Sequence, residues 1–108
     1  MNIRLEYLYR DAGNFKNWGA VVFSNPNNIP SKSIAELASS ALIDRSYFVA
    51  GKVGVPDLHF LDHDVDLDHD WHEFDSFQET EAQPDDSRER TIEKFIESLK
   101  AACDDCTA

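Results

Sequence analysis

Cysteine is scarce in this chain: Cys103 and Cys106 are the only two, and a bridge between them would close a loop too small to staple a fold. A disulfide scaffold is therefore excluded, and stability has to come from a packed core. Glycine and proline number four each, which excludes collagen-like and low-complexity chains and leaves no Gly-rich phosphate loop. No apolar run approaches the ~18 residues that a membrane helix requires. Residues 1–10 alternate charged with apolar side chains and lack the apolar stretch of a signal peptide, so a cytoplasmic protein is expected. Basic residues are few as well, 10 against 21 acidic ones, for a net charge of −11. That field repels free nucleic acid and anionic lipid, and an electrostatically chosen partner has to be cationic.

What is present suits one domain. At 108 residues and 42% hydrophobic, the chain is long enough for a single core and too apolar for disorder. Ile3, Leu5, Tyr7 and Tyr9 alternate with Arg4, Glu6 and Arg10, the period of a half-buried strand over residues 2–10. Asp11-Ala12-Gly13-Asn14 supplies turn chemistry, and residues 15–23 read as the returning strand of a β-hairpin. A helix is predicted over 31–43, with Ser33 and Glu36 at capping-box spacing and Ile34, Leu37, Ala38, Ala41 and Leu42 on one face. Tyr47 to Ala50 suits a short strand, and Gly51, Gly54 and Pro56 punctuate the chain after it. Over 71–80, Trp71, Phe74 and Phe77 fall three apart, which fits a helical turn or a bulged strand; the strand is preferred. A terminal helix over about 87–104 is expected, with Asp86 and Glu89 at its cap and Ile92, Phe95, Ile96 and Leu99 in its apolar stripe. The expected fold is thus α+β: a small antiparallel sheet led by the hairpin, with two helices packed on one face.

The charge is unevenly spread. From Val53 to Ser87 the chain has twelve acids and neither lysine nor arginine, and within the acidic segment 57–86 every second residue from Asp62 to Asp70 is aspartate. Extended, that run sets Asp62, Asp64, Asp66, Asp68 and Asp70 on one side at ~6–7 Å intervals, close to the spacing of phosphates along a nucleic-acid strand. The competing reading is a solvated loop, because aspartate is a poor strand former and like charges repel. Weighed together, these features lead to the expectation of a non-enzymatic acidic protein. It would present the five aspartates and Glu73 to a basic protein surface, as an inhibitor, an antitoxin-like or immunity-like protein, or a nucleic-acid mimic.

Metal binding is the alternative. Asp62, Asp64, Asp66, Asp68, Asp70 and Glu73 match positions one, three, five, seven, nine and twelve of a calcium loop, but Leu67 stands where the sharp turn demands glycine. His63, His69 and His72 with Asp64 and Asp70 offer a transition-metal set, and His59 adds a further nitrogen. Against this, His59 and His72 alternate with aromatics as packed histidines do. No cofactor is expected and no catalytic apparatus is visible: the Cys103-Asp104-Asp105-Cys106 spacing lacks the positive neighbours that make a thiolate, and the His72-Glu73 pair is common in inert domains. Arg4, Arg10 and Lys16 read as residues that solubilise the hairpin edge.

Tyr9-Arg10-Asp11-Ala12-Gly13-Asn14, Val21-Val22-Phe23, Asn25-Pro26, Val55-Pro56-Asp57-Leu58-His59-Phe60 and Asp70-Trp71-His72-Glu73-Phe74 together resemble a family of small bacterial proteins described only as hypothetical. The resemblance spans most of residues 1–80. It implies a bacterial, cytosolic setting and no particular chemistry.

Overall fold

In the computed structural model, which describes residues 1–59 and 71–102, the hairpin organises the rest. Strand β1 (Asn2–Arg10) pairs antiparallel with β2 (Lys16–Phe23), in register from Ile3 opposite Phe23 to Arg10 opposite Lys16. Asp11 closes the turn: its carboxylate accepts from Phe15 N–H at 2.9 Å and its carbonyl from Asn14 N–H at 3.0 Å. Phe15 thereby belongs to the turn rather than to the strand, and its ring is exposed.

Helix α1 (Ser31–Ser39) comes next, then β3 (Tyr47–Val49), the single-turn α2 (Ala50–Val53), β4 (Trp71–Thr80) and α3 (Ile92–Ala102). The sheet order is β2-β1-β4-β3 and every pairing is antiparallel, so the α+β class and the leading hairpin are as the patterning indicated. Odd-numbered residues of β1 and β2 (Ile3, Leu5, Tyr7, Val21 and Phe23) face one core with Ile34 and Ala38 of α1 and Ile92, Phe95, Ile96 and Leu99 of α3. Each large side chain buried this way contributes ~1.5–3 kcal/mol.

The triplet spacing in 71–80 has a physical cause. Between Glu6 and Tyr7 the β1–β4 register slips: Glu6 faces Ser76 while Tyr7 faces Phe74, leaving Asp75 as the extra residue of a bulge. The bulge inverts the strand's phase, so Phe74 and Phe77 share a face, with ring centroids 5.0 Å apart, although their spacing along the chain is odd. It also sets His72 on the core side and leaves Trp71 outside, stacked on Tyr47.

Both longer helices depart from the sequence reading at an end or a cap. Helix α1 stops at Ser39 rather than 43, because Ser39 and Ser40 bond back to the carbonyls of Glu36 and Leu37 and the chain then turns through left-handed Asp44 and Arg45. Ser33 forms no capping box, since the N-cap is Pro30 and no side chain caps the helix. Helix α3 begins at Ile92, five residues later than expected, with Thr91 Oγ1 accepting from Lys94 N–H. Asp86 serves instead in the turn before it, where it accepts from Arg90 N–H at 2.9 Å. The short helix α2, which the glycines at 51 and 54 concealed, ends at Gly54 with φ 76°, a conformation that glycine adopts without penalty. Gly54→Ala is expected to cost about 1–2 kcal/mol, read as a lower urea midpoint with unchanged m-value.

Among the described residues no helix is long and apolar enough to cross a membrane.

Candidate metal-binding cluster

The stretch from Val55 to His59 crosses the core side of the sheet at the hairpin end, and each contact that holds it traces to a particular residue. Tyr7 donates its hydroxyl to the Pro56 carbonyl at 2.6 Å. Asn17 on β2 donates to the Leu58 carbonyl at 3.0 Å. Gly19, next on the same face, makes room: a Cβ there would stand 2.9 Å from the Leu58 methyls. Leu58 N–H in turn donates to Nε2 of His72 at 3.0 Å, so that nitrogen serves as the acceptor of the bond.

These contacts assemble Asp57, His59 and His72. Their ligand atoms all lie within 4.8 Å of one another. Asp57 Oδ1 stands 2.8 Å from His59 Nδ1 and 3.6 Å from His72 Nε2. The same oxygen accepts from His59 N–H at 2.8 Å, a local turn that fixes the carboxylate relative to the adjoining histidine. His72 is 1% exposed, while the Asp57 side chain opens to solvent, so the cluster runs from core to surface.

Aromatic rings form its walls. Tyr9 meets His59 edge-on with centroids 4.5 Å apart and lies 5.2 Å from His72. Tyr7 and Phe48 flank His72 at 6.0 and 6.1 Å. In this setting burial pushes the Tyr7 hydroxyl well above the usual phenol range, and the nearby Asp57 charge adds to the shift. Tyr7 therefore stays protonated and serves as a donor to Pro56, not as a base.

Of the residues singled out for a metal, the structure thus brings His72 together with His59. It adds Asp57, whose isolated position before Leu58 carried no ligand-spacing signal in the sequence. His63, His69, Asp64 and Asp70 lie outside the described residues, as do Asp62, Asp66 and Asp68 of the proposed docking surface and both cysteines. Glu73, the one described member of that surface, is held by Arg10 through two contacts, at 2.8 and 3.2 Å.

A tetrahedral ion with ligands at ~2.0–2.1 Å separates its donor atoms by about 3.3 Å, between the two separations measured from Asp57 Oδ1. Two imidazoles and one carboxylate are a borderline donor set suited to zinc and its neighbours rather than to calcium or magnesium. Three protein ligands also leave a coordination position open. Comparison with family models, curated proteins and solved structures finds no match to this chain, so what it can do is argued from its own geometry.

Proposed function

We propose that this protein binds a divalent transition-metal ion through Asp57, His59 and His72. The observation that supports the reading is the convergence of three ligand atoms from two separate segments within 4.8 Å. One contact opposes it, since Nε2 of His72 already accepts from Leu58 N–H and a metal has to take that lone pair. Leaving an amide without its acceptor costs about 1–3 kcal/mol. Structural zinc held by four ligands contributes ~10–16 kcal/mol, and a three-ligand site needs only a fraction of that to exceed the loss. Binding also consumes the Asp57–His59 contact, which is partly exposed and weak.

The reading expected first from the sequence, an acidic surface docking on a basic protein, rests on five aspartates in the run 62–70, which lie outside the described residues, and on Glu73, which Arg10 holds. The described geometry supports the metal reading.

Calorimetric titration of tag-free, chelator-stripped protein is expected to show one zinc equivalent bound. Asp57→Asn and His59→Ala should each weaken binding by ~100-fold or more. A variant with Asp62, Asp64, Asp66, Asp68 and Asp70 all changed to Asn should keep most of the affinity. The Leu58 amide resonance should shift on saturation as its acceptor is withdrawn. Zinc affinity unchanged in His59→Ala, or lost only in the five-fold Asn variant, would place the ion elsewhere and overturn the assignment.

A further inference from the structure

The open edge of β2 carries polar groups that the sheet leaves unused. Val22 turns its backbone away from β1: its N–H donates to Asp85 Oδ1 at 2.7 Å and its carbonyl accepts from Asp85 N–H at 3.0 Å. Alternation along an antiparallel strand turns the N–H and C=O of Ala20 and Trp18 to the same side, and among the described residues no group bonds them. The strand lacks the usual protections of an edge, having no proline or bulge and Lys16 as its one charged residue. The opposite edge, β3, is protected by being three residues long.

The side chains along this edge differ in size in a regular way. Trp18 stands 55% exposed on the helix-free face of the sheet. Two residues further on, Ala20 borders an open surface depression of about 420 Å³ that is lined also by Arg4, Glu6, Trp18 and Gly19.

We propose that β2 pairs antiparallel with β2 of a second copy of this chain, about a two-fold axis through Gly19, so that each Trp18 lies opposite the other copy's Ala20. In this register Trp18 and Ala20 exchange both of their hydrogen bonds, once on each side of the axis. Pairing ends at Val22, whose groups Asp85 already holds. Each indole enters the space above the other copy's alanine, beside Arg4, whose guanidinium stacks on an aromatic face. A second copy is favoured over an unrelated strand because large and small residues two positions apart are self-complementary under a two-fold. Strand β2 itself contributes no acid to repel its image, and the flanking carboxylates of Asp85 and Glu6 are engaged by Val22 N–H and by Arg4. The net charge of −11 on each copy acts at longer range and makes the association grow with salt.

Sedimentation velocity in chelator, so that no ion bridges the copies, tests this over ~1 μM to ~1 mM protein. The expected result is a monomer–dimer equilibrium that tightens several-fold on going from low salt to ~0.5 M. Hydrogen exchange of the Trp18 and Ala20 amides should slow as concentration rises, while that of Asn17 and Gly19, which already face β1, stays constant. Trp18→Ser and Ala20→Pro should each weaken the dimer ~10-fold or more, the proline removing an outward N–H without touching the β1 ladder. Should Ala20→Pro lower the melting temperature, the exchange pattern of the unaltered chain decides. A monomer at every concentration and salt, a dimer that both variants retain, or protection at amides other than Trp18 and Ala20 overturns the proposal.

Discussion

Arg90→Ala is expected to be among the most destabilising single changes in this protein, costing about 3–5 kcal/mol. Asp86 and Arg90 form a bidentate pair, with both contacts to the carboxylate at 2.9 Å, and their side chains are only 1% and 9% exposed. The guanidinium also donates to the carbonyls of Val53 at 2.6 Å and Gly54 at 3.2 Å and lies over the rings of Phe23 and Phe95. One residue thus ties the end of α2, the start of α3 and the β2 terminus together. Removing it leaves a buried carboxylate with backbone N–H donors but no countercharge, and withdraws the donor from two carbonyls at once. In a domain of this size the loss lowers the melting temperature by more than ~10 °C. Asp86→Asn/Arg90→Ala should be less destabilised than the two single changes added together, because it no longer buries an unpaired charge. A cost below ~1 kcal/mol in urea unfolding would show that the pair is dispensable.

The pair carries a pH dependence of known sign. Burial raises the Asp86 carboxyl, but the hydrogen bonds and charge of Arg90 outweigh it and hold the group below its ordinary value. A carboxylate depressed in the folded state contributes stability that is complete above the unfolded value, near ~4, and is lost as pH falls through the lower folded value. Acid unfolding of the unaltered chain is therefore expected to include this loss, and in Arg90→Ala the dependence on pH below ~4 should flatten.

The second large effect belongs to His72. His72→Ala removes an aromatic ring packed among Tyr7, Tyr9 and Phe48 and deprives Leu58 N–H of its acceptor, so about 3 kcal/mol of stability goes with it. It should also abolish zinc binding. His59→Ala, at a partly exposed position, should abolish zinc binding while costing about 1 kcal/mol or less of stability without metal. This divergence separates a metal site from a hydrogen-bond network that merely pins Val55–His59 to the sheet. If zinc raises the melting temperature of His59→Ala as much as that of the unaltered chain, the cluster is structural only.

Much of this fold was legible from side-chain period. Ile3, Leu5, Tyr7 and Tyr9 declare β1 because alternate residues on a strand share a face, and Ile92, Phe95, Ile96 and Leu99 declare α3 for the corresponding helical reason. The ends of elements were less legible, because Ser39, Ser40 and Asp86 bond to backbone groups three or four residues away, a choice that hydrophobic period does not record. The triplet of Trp71, Phe74 and Phe77 is ambiguous as a string and becomes a strand once Asp75 is set aside as a bulge.

The candidate site was legible only in part. Histidine density between 59 and 72 marked the region, but Asp57 was read only as the first residue of the acidic segment 57–86. What joins it to His72 is the hydroxyl of Tyr7, the amide of Asn17 and the missing side chain of Gly19, all on strands far upstream in the chain.

By itself the amino-acid order determined the class of fold, the one core, the hairpin and the sign of the field around the molecule, because hydrophobic period, turn chemistry and net charge are local or additive properties. Tertiary structure alone decided that Asp57, His59 and His72 share one cluster, that Arg10 takes Glu73 and that the Trp18–Ala20 edge stays open. Those depend on strand order and on the register slip at Glu6–Tyr7, which bring distant residues together and which no short window of sequence contains.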